Sequence, residues 1–289
     1  MVELHDICMK YTIIINTHNL VPEKMFVHVL KSMFLNAIKW DCEVIIVSHF
    51  PVLNKYEEVD ISDSLIEHHI EFEDVIIKGP VFSVDDFDIK IKNYVVGERR
   101  YSLHTICDQI MIGLKNSNTD RIIIMEHDVL YPEEYICDIC SPLDLGADFS
   151  CWKNAILLGM VGYYRIPNWV TFGRIAWKSS FLEKYLISLK KDVFVDMVPD
   201  ISLRGCAGVP EKFCEFNSVG LTAKYGVVEG TDVLDFRHGL NTYGNVLLNE
   251  CSDSHPVWGD KMKWIDLIDK NFSRVTMRNP LYAYGLLAE

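Results

Sequence analysis

The residues with the most chemistry in this chain are Glu126, His127 and Asp128, which directly follow the apolar run Arg121-Ile-Ile-Ile-Met125. On an extended backbone, side chains two residues apart point to the same side, so both carboxylates would face one way and the imidazole the other. Left alone, such a pair repels and each carboxyl raises the pKa of the other; a divalent cation removes that repulsion. Hard oxygen donors of this kind suit Mn(II) or Mg(II). The alternative is a pair of solvated carboxylates where a strand meets a turn. A second cluster follows another apolar run, where Val233-Leu-Asp-Phe236 leads into Arg237, His238, Gly239 and Asn241. A guanidinium there can fork onto a phosphate, and a glycine permits close backbone approach. An Arg237–Asp235 ion pair beside a satisfied histidine is the competing reading.

The elements that must position these groups are legible from hydrophobic spacing. Tyr11-Thr-Ile-Ile-Ile15 and Glu43-Val-Ile-Ile-Val47 are apolar, β-branched runs of buried-strand type, ending in the polar segments Asn16-Thr-His-Asn19 and Ser48-His-Phe-Pro51. Between them Glu23–Trp40 carries Met25, Val29, Met33 and Ala37 at helical spacing behind Pro22. A strand, helix, strand unit of this length requires a parallel pair. Val75–Ile77 predicts a short strand, Arg100–Lys115 a helix with Leu103, Ile106, Cys107, Ile110 and Leu114 on one face, and Arg121–Met125 a third strand. Further helices are expected at Ser180–Lys190 and Glu211–Tyr225. In an open α/β sheet ligands bind beyond the carboxyl ends of the strands, which is where Thr17, Asn19, His49, Glu126 and Asp128 all fall.

This order of strand, Thr-His-Asn loop, helix, strand, amphipathic helix and I-I-I-M-E-H-D-V-L-Y-P resembles the nucleotide-sugar-binding half of GT-A glycosyltransferases, particularly the family-2-like ones. The resemblance implies an α/β, Rossmann-like, mostly parallel sheet flanked by helices. It implies one continuous domain in two halves sharing a cleft: residues 1–140 for the nucleotide sugar, residues 141–289 for the acceptor, with a C-terminal lid or tail. An Asp-x-Asp motif in that family holds a divalent metal on the sugar-nucleotide diphosphate, and Glu126-His127-Asp128 matches it with Glu in the first position. His238 matches the late histidine that returns to the metal, with Arg237 and Asn241 beside the diphosphate. Thr17, Asn19, His49 and Arg100 fall where base and ribose contacts lie. The general base for an inverting reaction matches Glu215, in Phe213-Cys-Glu-Phe-Asn217, with Asp196 and Asp200 in reserve; an ordinary exposed helix acid is the alternative for Glu215.

The implied activity is hexosyl transfer from a UDP-sugar to an acceptor hydroxyl. Soluble proteins with this Glu-His-Asp strand end and an Arg-His-Gly-x-Asn segment are similar to viral and bacterial enzymes that glycosylate hydroxylated DNA bases, which makes a hydroxymethylated pyrimidine the leading acceptor. A glycan or protein acceptor, a metal-dependent nucleotidyltransferase or phosphohydrolase, and a silent sugar-binding module stay open. The charge distribution bears on this choice. The chain has 289 residues and a formal net charge of −13, but residues 1–150 carry 26 acids and 12 bases while residues 151–289 carry 15 and 16. Eleven acids and one Lys lie between Glu57 and Asp88. A polyanion must therefore meet the second half, where Trp152, Lys153, Tyr163, Tyr164, Arg165, Trp169 and Arg174 offer stacking and charge.

Nine cysteines without framework spacing and an N-terminus lacking a signal-peptide layout predict reduced thiols in a cytoplasm, the host's for a viral protein. No apolar run approaches the roughly 20 residues of a membrane helix, so membrane insertion is not expected. Cys137-Asp-Ile-Cys140 has no second pair and falls in a predicted helix, which favours buried thiols. Dinucleotide, P-loop, serine-hydrolase and zincin motifs are absent from the sequence.

Overall fold

A computed structural model describes residues 11–19, 23–52, 57–60, 76–79, 81–84, 87–98, 103–159, 162–165, 172–191, 221–236 and 252–265. The strands are β1 (Thr12–Thr17), β2 (Glu43–Ser48), β3 (Glu57–Asp60), β4 (Ile76–Gly79), β5 (Val81–Val84), β6 (Phe87–Val95), β7 (Arg121–Glu126), β8 (Val129–Leu130), β9 (Phe149–Trp152), β10 (Ala155–Gly159), β11 (Gly162–Arg165), β12 (Ile175–Lys178), β13 (Tyr225–Val228) and β14 (Val233–Phe236). The main helices are α1 (Glu23–Lys39), α2 (Leu103–Lys115), α3 (Tyr135–Asp144) and α4 (Ser179–Lys191).

The fold class is the expected one, mixed α/β around a large sheet flanked by helices. Its order is β13-β9-β12-β7-β1-β2-β6-β4-β3, with β5 on β6. The centre is parallel: β1 pairs with β2 and β7, and β2 with β6. β12 runs antiparallel to β7 and to β9. Strands from both halves of the chain thus share one sheet. A second sheet, β11-β10-β14-β8, packs beside it.

The apolar runs make this arrangement because every apolar side chain in them is buried, on alternate faces. Ile13, Ile15, Val44, Ile46, Ile123 and Met125 face one core with Met25, Val29, Met33 and Phe34 of α1 and Tyr135, Ile136 and Ile139 of α3. Ile14, Ile45, Val47, Ile122 and Ile124 face the other, with Cys107, Ile110 and Met111 of α2 and Phe181, Leu182 and Tyr185 of α4. Each fully buried aliphatic side chain contributes on the order of 1.5–3 kcal/mol before chain entropy is subtracted.

Two expectations differ from the structure. The expected helix at Glu211–Tyr225 lies outside the described residues up to 220, and Tyr225 opens β13, whose Tyr-Gly-Val-Val pairs in parallel with β9. Extended backbone does not persist from Met125 through Asp128 either. β7 ends at Glu126, His127 and Asp128 form a turn, and β8 leaves the main sheet for β14. The Phe236 N–H donates to the Asp128 carbonyl at 2.9 Å, which anchors this turn to the second sheet.

Candidate functional site

The polar segments predicted to form a site converge at the carboxyl edge of β1, β2 and β7, and buried amides from neighbouring elements hold them there. Gln109 of α2 donates from Nε2 to the carbonyls of Thr17 (3.1 Å) and Val47 (3.2 Å). Asn93 of β6 donates to Ser48 Oγ at 2.9 Å and to the Ile46 carbonyl at 3.2 Å, and its Oδ1 accepts from Val52 N–H at 2.9 Å. Asn19 takes a left-handed φ of 62°, a conformation Asn tolerates. Its side chain clips the next loop in both directions: Nδ2 donates to the Phe50 carbonyl at 3.0 Å and Oδ1 accepts from Phe50 N–H at 3.1 Å. The Thr17 hydroxyl is buried and accepts from Asn19 N–H at 3.0 Å. His49 is buried, and its N–H donates to the Thr17 carbonyl at 3.3 Å. Thr17 and Asn19, expected to touch a nucleotide, therefore commit their side chains to shaping the loop backbone.

At the end of β7, Tyr131 ties the strand to its antiparallel neighbour. Its hydroxyl accepts from Glu126 N–H at 2.8 Å and donates to the Gly173 carbonyl at 2.8 Å; the Tyr135 hydroxyl donates to the same carbonyl at 3.3 Å. Gly173 belongs to the short 3-10 turn Phe172–Arg174 that precedes β12. The Glu126 side chain lies directly over it. A Cβ built on Gly173 would overlap Glu126 Cγ and come within 2.7 Å of Cδ. Burial pushes the Tyr131 hydroxyl well above its ordinary range, and the negative charges of Glu126 and Asp128 push it further. Burial does the same for Tyr135, where Glu126 adds to the rise and the Arg174 guanidinium opposes it. Asp128 is 8% exposed.

Strand alternation does not align Glu126 and Asp128, because His127 and Asp128 form a turn. Two hard-oxygen donors in this setting fit a divalent cation. Among the described residues no group of three or more His, Cys, Asp and Glu side chains is arranged around a metal position, and the third expected ligand, His238, lies outside them. His127 points elsewhere. Its Nδ1 lies 3.1 Å from the Asn16 carbonyl, and its ring packs edge-on at 4.9 Å from His18. A carbonyl only accepts, so Nδ1 is the donor in this contact.

Arg100, Glu215, Arg237 and Asn241 lie outside the described residues, as do Asp196, Asp200 and Trp169. Of the aromatic and basic set assigned to an acceptor, core packing claims some members. Trp152, Tyr163 and Arg174 are core residues rather than a stacking surface. Trp152 donates from Nε1 to the Thr231 carbonyl at 3.0 Å, its ring stands against Gly230, and Lys153 pairs with Glu229 at 2.5 Å. The reason is β9, which carries Trp152 into the main sheet. Neither Cys137 nor Cys140 of α3 is in a disulfide; Cys137 is exposed, whereas burial holds the Cys140 thiol well above its ordinary range. Tyr131, Tyr135 and Gly173 were not singled out from the sequence. Tyr131 lies close enough to the acidic pair to have been considered, but Gly173 is linked to Glu126 only through the β7–β12 register.

No protein-family model and no curated protein matches the chain. Among solved structures it is similar to S. aureus TarS 1–349 in complex with UDP-GlcNAc, with 13% identity and a TM-score of 0.44 over 85% of this chain and 62% of that one. A second structure of TarS 1–349 gives 14% identity and a TM-score of 0.42, over 79% and 60%. The 4-diphosphocytidyl-2C-methyl-D-erythritol synthase of Anaerococcus prevotii gives 12% and 0.41, over 78% and 90%. The chain spans less than two thirds of the length of the TarS structures it matches.

Proposed function

We propose that this protein is a nucleotide-diphospho-sugar transferase of the GT-A, family-2-like type, with its donor at the carboxyl edge of β1, β2 and β7. The observation that carries the reading is the placement of Glu126 and Asp128: two acidic residues at the end of a central parallel strand, beside the loops that close β1 and β2. On this reading residues 1–140 bind the donor and residues 141–289 the acceptor. Glu126, Asp128 and His238 would hold Mn(II) or Mg(II), which when bound neutralises the diphosphate leaving group. Arg237 and Asn241 bind the diphosphate, and the loop backbones set by Thr17 and Asn19, with His49 and Arg100, receive the nucleotide. Glu215 takes the proton from the acceptor hydroxyl as that oxygen attacks the anomeric carbon.

The test is UDP release from UDP-glucose by the full chain and by Asp128→Ala, with and without Mn(II). The expected result is slow, Mn(II)-dependent hydrolysis that falls by roughly 100-fold or more in the variant, as losing one cation ligand removes its electrostatic stabilisation. Turnover indifferent to Mn(II), or an unaffected variant, overturns the reading. Phosphate release from nucleotides without sugar transfer would favour a phosphohydrolase.

The acceptor is proposed separately as a hydroxymethylated pyrimidine in DNA. Its support is the charge asymmetry, −14 in residues 1–150 against +1 in residues 151–289, which leaves only the second half approachable by a polyanion. Incubating hydroxymethylated duplex DNA with the protein and a UDP-hexose should add one hexose mass per modified base; no increment with any nucleotide sugar removes DNA as acceptor.

A further inference from the structure

The Glu126 backbone is held on two sides. Toward β1 it pairs with Asn16, the last partner in the parallel β1–β7 ladder. Toward β12 the regular antiparallel pairs run from Arg121–Lys178 to Ile124–Ile175, and beyond them a side chain takes over. The Tyr131 hydroxyl accepts from Glu126 N–H at 2.8 Å and donates to the Gly173 carbonyl at 2.8 Å. In an unbroken antiparallel ladder backbone N–H and carbonyl groups meet directly, at about 2.9 Å. Here one hydroxyl stands between them and joins the two chain segments by a bond to each.

Packing does not call for that oxygen. Tyr131 is 3% exposed, and its ring lies 4.6 Å from that of Tyr135, centroid to centroid, in the core that also holds Met125, Val129 and Trp152. A phenylalanine would fill the same volume. What the hydroxyl does is local. The Glu126 side chain lies over Gly173, where a Cβ would overlap its Cγ. The same oxygen therefore holds the N–H of Glu126 and the carbonyl of the residue on which the Glu126 side chain rests.

We propose that Tyr131 is a positioning residue for Glu126: its hydroxyl bridges the end of β7 to the Phe172–Arg174 turn and so fixes the backbone from which the Glu126 carboxylate reaches a divalent cation. This rests on the donor-site reading above. The Tyr135 hydroxyl supplies an internal comparison. It donates to the same Gly173 carbonyl, at 3.3 Å, while the Glu126 N–H goes to Tyr131. Removing either hydroxyl takes a bond from Gly173; removing that of Tyr131 also releases Glu126.

The experiment measures Mn(II) affinity of the full chain by electron paramagnetic resonance, without donor, together with Tm, for the parent, Tyr131→Phe, Tyr135→Phe and Glu126→Gln. Each tyrosine substitution keeps the ring and deletes one oxygen. The expected result is Mn(II) binding weaker by roughly 10-fold in Tyr131→Phe, as for other groups that orient metal ligands, and close to the parent's in Tyr135→Phe, even where both lower Tm. Glu126→Gln keeps the backbone bond and removes the carboxylate charge, so it should weaken binding at least as much as Tyr131→Phe. Unchanged or tighter Mn(II) binding in Tyr131→Phe overturns the proposal. Equal weakening in the two tyrosine variants overturns it as well, since that marks a general loosening of the core, and so does a Tyr131→Phe chain that fails to fold, which marks the hydroxyl as a stability element. A smaller loss in Glu126→Gln than in Tyr131→Phe also overturns it, because the tyrosine is then not acting through Glu126. A parent chain that binds no Mn(II) brings down the donor-site reading and this proposal together; a parent that binds it, with an indifferent Tyr131→Phe, removes this proposal alone.

Discussion

Glu126 owes its place to a residue that has no side chain. Gly173 faces it across the β7–β12 pair, and any Cβ there occupies the volume of Glu126 Cγ. Gly173→Ala should therefore displace the carboxylate while the two tyrosine hydroxyls keep their backbone acceptor. The expected outcome is donor hydrolysis and Mn(II) affinity lower by roughly 10-fold or more, with a stability loss of about 1–3 kcal/mol from overpacking. Steady-state kinetics and denaturant unfolding on the same preparation check it; full activity in Gly173→Ala would mean that the carboxylate position seen here is not the working one. The acids at 126 and 128 were legible as a chemical pair, because carboxylates at the end of an apolar run are rare without a partner. The turn at His127 that takes them off strand alternation was not, since it is made by β8 pairing with β14.

At the scale of elements, the site is held by polar ties between strand ends rather than by the strands alone. At the opposite edge of the sheet, Glu43 at the start of β2 accepts from the Lys92 ammonium at 2.6 Å, from Asn118 N–H at 3.0 Å and Nδ2 at 2.8 Å, and from the Thr12 hydroxyl at 3.1 Å. It so joins β1, β2, β6 and the turn before β7. Burial tends to raise its pKa, but the Lys92 and Asn118 hydrogen bonds, the Lys92 charge and the Thr12 hydroxyl outweigh burial and hold the carboxyl below its ordinary value of 4.5. A carboxyl whose folded value lies below its unfolded one stabilises the fold above the unfolded value and loses that contribution as pH falls through the folded one. Part of the acid unfolding should therefore develop below about pH 4.5 and be missing in Glu43→Gln, which at pH 7 should lose about 1–3 kcal/mol. Urea unfolding of both proteins between pH 3 and 7 measures this; parallel pH profiles would show that Glu43 does not carry it. The helices and central strands were legible because their apolar periodicity is long and unbroken. β13 was not, because Tyr225-Gly-Val-Val is made a strand by its pairing with β9.

For the whole molecule, β1, β2 and β7 are buried on both faces and hydrogen-bonded on both sides, whereas β13 lies at the sheet edge with Tyr225 and Val227 exposed. Stability is distributed accordingly. Amide exchange followed by mass spectrometry should be slowest at Ile13–Ile15, Val44–Val47 and Ile122–Ile124 and faster by orders of magnitude across Tyr225–Val228; comparable protection of β13 would contradict a core centred on the parallel strands. No helix among the described residues is long and apolar enough to cross a membrane, and none of the five cysteines among them is in a disulfide.

Three β-branched runs, their helical intervals and the acids at their ends were set by local sequence, because buried parallel strands need uninterrupted apolar side chains and their carboxyl ends need polar ones. Tertiary structure decided which of those polar groups meet. It sent Trp152, Tyr163 and Arg174 into the core, bound Thr17 and Asn19 into loop backbone, and set Gly173 beside Glu126. Those outcomes depend on strand register and on contacts between residues some 50 positions apart, such as the 47 that separate Glu126 from Gly173, which no local spacing encodes.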